Sequence, residues 1–441
     1  MDVERALCPQ FVKALKNRAA RKYHMNRIVS TLKTQYTTGV MATQNLFPTS
    51  FLWGAATSSH QVEGNTHNDW SEWEKLGKIA HGETSGRAAG HYERFKDDFS
   101  LAKKLGHNAH RLSLEWSRIE PRPGVIDQSA IAHYREVLTE LRRLDIEPIV
   151  TLWHFTNPIW VSQRGGWASR STVDLYGRYV MAVVRELGDL VTHWITINEP
   201  TVYSSLSYVF GYWPPEKKNP LVSWNVIRNF VSAHRLAYQI IHRHNPSAKV
   251  GAANNLSDFV PSRPSHPLDR GLTWLASYWH NQWWLDQTYM EQDFIGLNYY
   301  FYHPLRWKLR GLRNIFKPEP TASATVSDVQ WEIHPEGLGH LLEFLRRYDR
   351  PIIITENGLA DATDTRREKF IRDHVQQIER ALANHIRIEG YLHWSLLDNF
   401  EWREGYSPRF GLVAVDYGTL QRTPRSSATA FQQIIQERSS R

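Results

Sequence analysis

Pro351-Ile352-Ile353-Ile354-Thr355-Glu356-Asn357-Gly358-Leu359 is the stretch that decides how this chain folds. Three consecutive isoleucines with no polar alternation read as a short strand buried on both faces. The apolar run stops at a carboxylate, and Asn-Gly turns the chain. A charge at the end of a fully buried strand is costly unless it is paired or hydrogen-bonded. One such glutamate could simply have reached the loop. The chain repeats the arrangement at His193-Trp194-Ile195-Thr196-Ile197-Asn198-Glu199-Pro200. Two buried strands that each deliver a glutamate at the C-terminal end point to paired-carboxylate chemistry.

Outward from these two, apolar runs recur at 52–57, 109–115, 147–153, 249–254, 293–299 and 388–394, giving eight strand candidates. Amphipathic stretches lie between most of them, for example 129–144 and 366–384, the latter with Phe370, Ile371, Val375, Ile378 and Leu382 on one side. Strands alternating with helices imply parallel βαβ units. Eight units without a composition break predict an α/β protein built as a single (β/α)8 TIM barrel. The rival is a doubly wound open sheet, which usually carries a glycine-rich phosphate loop after its first strand. Gly54-Ala55-Ala56-Thr57 is no such loop.

The chain has 441 residues, 41% hydrophobic and 22% charged, as expected of a globular protein. Its single cysteine, Cys8, excludes an intramolecular disulfide. No run of 18 or more apolar residues predicts a membrane span. No apolar signal core is present either, so a cytoplasmic location is expected. The net charge of +8 is concentrated in residues 1–46, which hold eight basic and two acidic side chains and leave the rest near neutral. A near-neutral body has no electrostatic footprint for nucleic acid. Residues 1–46 are expected to be a basic extension, disordered or outside the mature protein, with Met41 as a plausible start and residues 47–441 as the barrel. The 18 tryptophans suit stacking on sugar rings as well as core packing.

In such a barrel, active residues sit where strands end. Here those ends carry Gln61, Arg111, His154, Asn198, Glu199, Asn298, Tyr300, Glu356 and Trp394, with Glu401 and Trp402 in the loop beyond. Alone, each is more often structural. Together they supply carboxylates, amides, an imidazole and indoles at one mouth, which suits binding a polyhydroxylated ring and breaking an acetal. Cleavage needs the leaving oxygen protonated and the oxocarbenium-like carbon stabilised, and two carboxyls with different pKa values do both. Arg111, near the rim, would keep one of them ionised.

Four motifs then carry a resemblance that covers nearly all of the body. They are Phe51-Leu52-Trp53-Gly54-Ala55-Ala56-Thr57-Ser58-Ser59-His60-Gln61-Val62-Glu63-Gly64, Thr196-Ile197-Asn198-Glu199-Pro200, Ile354-Thr355-Glu356-Asn357-Gly358 and Trp394-Ser395-Leu396-Leu397-Asp398-Asn399-Phe400-Glu401-Trp402. The chain resembles the family 1 glycoside hydrolases, the β-glucosidase and β-galactosidase family. The resemblance implies Glu199 as acid/base, Glu356 as nucleophile, Asn198 on the sugar 2-hydroxyl and Tyr300 on the nucleophile. It implies Gln61, His154, Glu401 and Trp402 on the other hydroxyls and Trp394 as ring platform, with Arg111 and Asn298 in support. No metal or organic cofactor is implied, and the partner is a small β-glycoside or oligosaccharide. The expected activity is that of a retaining exo-β-glycosidase on β-glucosides, with β-galactoside or β-fucoside side activity. The alternatives are a transglycosylase with the same residues and a catalytically silent sugar-binding barrel. Glu199 sets the chain apart from the thioglucosidase-like members, and Glu401 with Ser407-Pro408-Arg409 from the phospho-glycosidases.

Two departures stand out. Phe155-Thr156-Asn157-Pro158 replaces a Trp-Asp-Leu-Pro-like stretch. Between strands 5 and 6, residues 274–292 read as one helix where most members have a long excursion. One side of the cleft is therefore expected to be open, unless Trp274, Tyr278, Trp279, Trp283 and Trp284, or residues 307–316, fill the gap.

Overall fold

The fold comes from a computed structural model that describes residues 46–307 and 324–439. The expected extension at 1–46 lies outside the described residues except for Leu46, as does 307–316 beyond Trp307. Eight parallel strands close into a barrel in sequence order. They are β1 (Leu52–Ala56), β2 (Ala109–Ser113), β3 (Glu147–Thr151), β4 (His193–Asn198), β5 (Lys249–Pro261), β6 (Ile295–Leu305), β7 (Ile352–Asn357) and β8 (Ile388–Trp394). Closure is made by β1 on β8, with Leu52 opposite Gly390 and Ala56 opposite Trp394.

A helix follows each strand: α1 (His91–Lys104), α2 (Gln128–Arg143), α3 (Ser171–Leu187), α4 (Pro220–His244), α5 (Pro267–Ser277), α6 (Pro335–Leu345), α7 (Arg367–Ala383) and α8 (Ser426–Ser439). The helices expected at 129–144 and 366–384 are α2 and α7, each within one residue at either end. Local chemistry sets several starts. Asp127 accepts from the Ser129 and Ala130 amides ahead of α2, and Asn219 from Leu221 and Val222 ahead of α4. Among the described residues, no helix is long and apolar enough to cross a membrane.

Two apolar layers hold the barrel. Ala109, Ile149, Ile195, Ala253, Phe294, Ile353 and Leu392 pack together in one, drawn from successive strands. The much larger second layer packs strands against helices. The isoleucines of β7 divide between the layers, Ile353 in the first and Ile352 and Ile354 in the second. That division explains why the strand shows no polar alternation. Gly54 and Gly358 are needed for close approach. A Cβ would stand 1.8 Å from the Ala109 carbonyl oxygen at the first and 1.8 Å from the Trp394 carbonyl oxygen at the second.

The structure corrects the expectation for strands 5 and 6. Both run several residues past 254 and 299, pairing from Ser257 opposite Phe301 to Pro261 opposite Leu305. The connection after α5 is helical but not one uniform helix. A π turn at Tyr278–Gln282 leads to a short helix at Trp283–Thr288 and a 3₁₀ turn at Tyr289–Glu291.

Candidate active site

Ladder register slips at the strand ends that bear the candidate residues. Shifts fall between Ile195 and Asn198 on β4, between Leu297 and Asn298 on β6, and between Ile354 and Asn357 on β7. Such irregularities end pairing and re-aim side chains. Glu199 follows β4 with φ 45° and ψ 57°, in the left-handed region that non-glycine residues rarely adopt. Pro200 then opens the short helix Pro200–Tyr208, where its missing N–H costs nothing.

The side chains meet in a cavity of about 270 Å³. Gln61, His154, Asn198, Glu199, Tyr300, Glu356, Trp394, Glu401 and Trp402 all line it. Arg111 and Asn298 do not line it but bond to residues that do. Fully buried Arg111 forms an ion pair with Glu356 and donates to Asn198 Oδ1 at 2.6 Å and Thr151 Oγ1 at 3.0 Å. Asn298 accepts from the Thr355 hydroxyl at 2.7 Å, which turns its amide N–H group toward Glu199 Oε1, also at 2.7 Å. Asn255 donates to the same oxygen at 3.1 Å. Tyr300 donates to Glu356 Oε2 at 2.9 Å.

These contacts give the two carboxyls different protonation behaviour. Burial, and then the charge of Glu356, pushes Glu199 up to about 8, against the pull of Asn298, Asn255 and Arg111. Burial also pushes Glu356 above its ordinary value. There the Arg111 guanidinium, the Tyr300 hydroxyl and Asn298 work against the rise. Arg111 thus reaches the carboxyl that needs it, but it offsets the cost of burial and does not reverse it. Near neutral pH the arrangement offers a proton donor at Glu199 beside an ion-paired Glu356. Glu199 Oε1 already accepts two N–H bonds, so Oε2 carries the proton.

The rest of the cavity offers hydrogen bonds and flat faces. Asn198 Oδ1 is taken by Arg111, so its amide N–H group faces His154 Nε2 at 3.2 Å. Burial, and then Arg111, holds His154 well below the usual imidazole range. The neutral ring therefore carries its proton on Nδ1, which has no hydrogen-bond partner among the described residues. Gln61 donates to Glu401 at 3.2 Å and to Asn399 at 2.9 Å, while Ser58 fixes its carbonyl at 2.6 Å. Burial, and then Glu356, pushes Glu401 up to about 8. The His154 ring stacks near-parallel to Trp394 and Trp402, at centroid distances of 6.1 and 6.0 Å.

Two groups of residues escaped the sequence reading. Asn255 is one, and the polar pair Asn254-Asn255 closing an apolar run was its signal. The other is the apolar surround of Tyr212, Trp213, Phe301, Trp331 and Phe410, which Phe155 of the first departure joins. The aromatic run 274–284 does not line the cavity. Trp284 is buried, and Trp283 packs on Trp224 with centroids 4.7 Å apart.

The model of glycosyl hydrolase family 1 matches residues 43–294 and 289–440. The chain belongs to glycosyl hydrolase family 1. It is a β-glucosidase-type glycoside hydrolase. Beta-glucosidase A of Thermotoga maritima is 31% identical to it over 88% of this chain and 97% of that protein. The structure of a beta-glycosidase from Pyrococcus horikoshii superposes with a TM-score of 0.84 at 36% identity, covering 89% of this chain and 95% of the other. A beta-glucosidase from Thermotoga maritima in complex with glucoimidazole superposes at 0.83 with 28% identity, covering 89% and 99%. The hydrolase shares with these the closed barrel and nearly their full length.

Proposed function

We propose that this hydrolase is a retaining exo-β-glycosidase that releases terminal non-reducing β-D-glucosyl residues, with β-galactosyl or β-fucosyl residues as secondary substrates. The observation that carries this reading is the asymmetry of the glutamate pair. Glu199 is pushed up to about 8 while Glu356 sits in an ion pair with Arg111. In the first displacement, Glu356 Oε attacks the anomeric carbon as the bond to the leaving oxygen breaks. Glu199 Oε2 gives that oxygen its proton. A glycosyl ester on Glu356 and an ionised Glu199 result. In the second, Glu199 takes a proton from water, the water oxygen attacks the anomeric carbon, and Glu356 leaves as the carboxylate. Two inversions return the starting anomeric configuration.

Asn198 and the Nδ1–H of His154 are suited to donate to sugar hydroxyls, and Gln61 and Glu401 to grip others. Trp394 and Trp402 offer faces for the ring, whose C–H side is apolar. The relatives named above are β-glucosidases and a β-glycosidase, which supports glucosides as the first choice. The test is the product anomer. NMR of an aryl β-glucoside digest should show β-glucose first, before mutarotation, and α-glucose first would overturn the reading.

We assign the activity to residues 47–441 and treat 1–46 as an extension. The abrupt change in charge near residue 46 supports this division. A chain beginning at Met41 should keep the activity and Tm of the full chain, and a fall of several degrees in Tm would refute the division.

A further inference from the structure

Away from the cavity, the extension of β5 brings three metal-ligating side chains together with the start of α6. Asp258 lies on β5, His334 caps α6 and His340 sits two turns into that helix. One ligand atom from each falls within 4.8 Å of the others. His340 Nδ1 is 2.9 Å from Asp258 Oδ2, and His334 Nε2 is 3.8 Å from the same oxygen. None of the three lines the cavity.

Asp258 is 6% exposed. A carboxylate so buried needs a compensating charge. Among the described residues, its ion-pair partners are these two imidazoles and no lysine or arginine.

His334 is also held in place. The Tyr302 ring stacks on it with centroids 3.9 Å apart, and the Tyr299 hydroxyl donates to its carbonyl at 2.6 Å. Its Nε2 faces Asp258 while its Nδ1 faces Glu336 Oε2 at 3.7 Å.

We propose that Asp258, His334 and His340 bind a divalent transition metal, Zn²⁺ by its ligand preferences, as a clasp between β5 and α6. Two imidazoles and a carboxylate suit Zn²⁺, with water from the exposed His340 side as fourth ligand. Tetrahedral ligands around Zn²⁺ stand ~3.3 Å apart. The pairs at 2.9 and 3.8 Å stand on either side of that spacing, and the two imidazole nitrogens lie within 4.8 Å of each other.

The test titrates the chelator-stripped full chain with Zn²⁺ by calorimetry, and with Co²⁺ by visible absorption. One equivalent should bind, and Zn²⁺ should raise Tm. His340 is largely exposed, so His340→Ala should fold normally, bind at least about tenfold more weakly and lose both the Co²⁺ band and the Tm rise. Asp258→Asn should behave likewise, while activity without metal stays the same in His340→Ala. Failure of the wild type to bind, or equal binding by His340→Ala, would overturn the proposal, the latter by placing the ion on other histidines.

Discussion

At the scale of single residues, the roles proposed for the two glutamates can be separated by experiment. Glu356→Gln removes the attacking charge with little change in size, so hydrolysis should fall by more than about 10⁴-fold with the fold intact. Glu199→Gln removes the proton donor. Substrates with poor leaving groups should lose roughly 10²–10⁴-fold, and activated aryl glycosides much less in the first displacement. Azide should rescue the alanine variants and give opposite anomers of the glycosyl azide. Equal losses for good and poor leaving groups in Glu199→Gln would contradict the assignment. The pH profile gives a second reading of the same pair. Glu199 must be protonated to begin, so kcat/KM should fall as pH rises through about 8. Glu356 must be ionised, and burial places the acidic limb above the ordinary glutamate value. Asn255 donates to Glu199 and holds its pKa down. Asn255→Ala should therefore move the basic limb to higher pH, which a pH–rate series would detect.

Among the elements, strand ends were legible and walls were not. An apolar run that stops on a carboxylate, as β4 and β7 do, leaves a clear mark because burial and charge are incompatible without a partner. Asn198, Glu199 and Glu356 stood out for that reason. Phe301 and Trp331 did not, because an aromatic residue reads the same whether it lines a cavity or packs a core. The full lengths of β5 and β6 were also hidden. Asn255, Ser257 and Asp258 break the apolar run while the backbone ladder continues. Trp224 of α4 packs on Trp279 and Trp283 of the connection after α5, away from the cavity, whose lining here is Phe301, Val329 and Trp331 instead. The lack of the long excursion between strands 5 and 6 predicts that bulky aglycones are tolerated and that KM is high. Removing two or three apolar side chains from a binding wall forfeits a few kcal/mol at about 25 cal/mol per Å². A comparison of KM for a small and a bulky aryl β-glucoside against a member with the long excursion decides this. Equal discrimination against the bulky group would rule out an open cleft.

For the molecule as a whole, the site carries a stability cost that depends on pH. Glu199 is 6% exposed, and its pKa rises from 4.5 to about 8 on folding. A raised carboxyl favours the fold while protonated, so its contribution is complete below the unfolded value and is lost as pH climbs toward the folded one. Glu199→Gln, which is permanently neutral and still accepts from Asn298, should raise Tm, and by more at pH 8 than at pH 5. A Tm difference that is flat with pH would mean that Glu199 titrates normally. The barrel itself was readable at this scale because eight apolar runs alternate with amphipathic stretches. The clustering of charge near residue 258 was not readable, because His334 and His340 lie more than seventy positions along the chain.

The pairing of β1 with β8 also sets an order on synthesis. Leu52 finds its partner Gly390 only after more than three hundred further residues have been made. Gln61 meets Glu401 across 340 positions, and Arg111 meets Glu356 across 245. Contacts this distant in sequence must wait for the loops between them to close. A nascent chain on the ribosome therefore carries an open sheet with a bare edge on β1 until β8 emerges. No partial product ending before Trp402 holds a complete cavity, so a growing chain should not act on sugar until Trp402 has been added. Chaperone demand should peak in that same interval, when hydrophobic surface is greatest and the closing strand is still inside the tunnel.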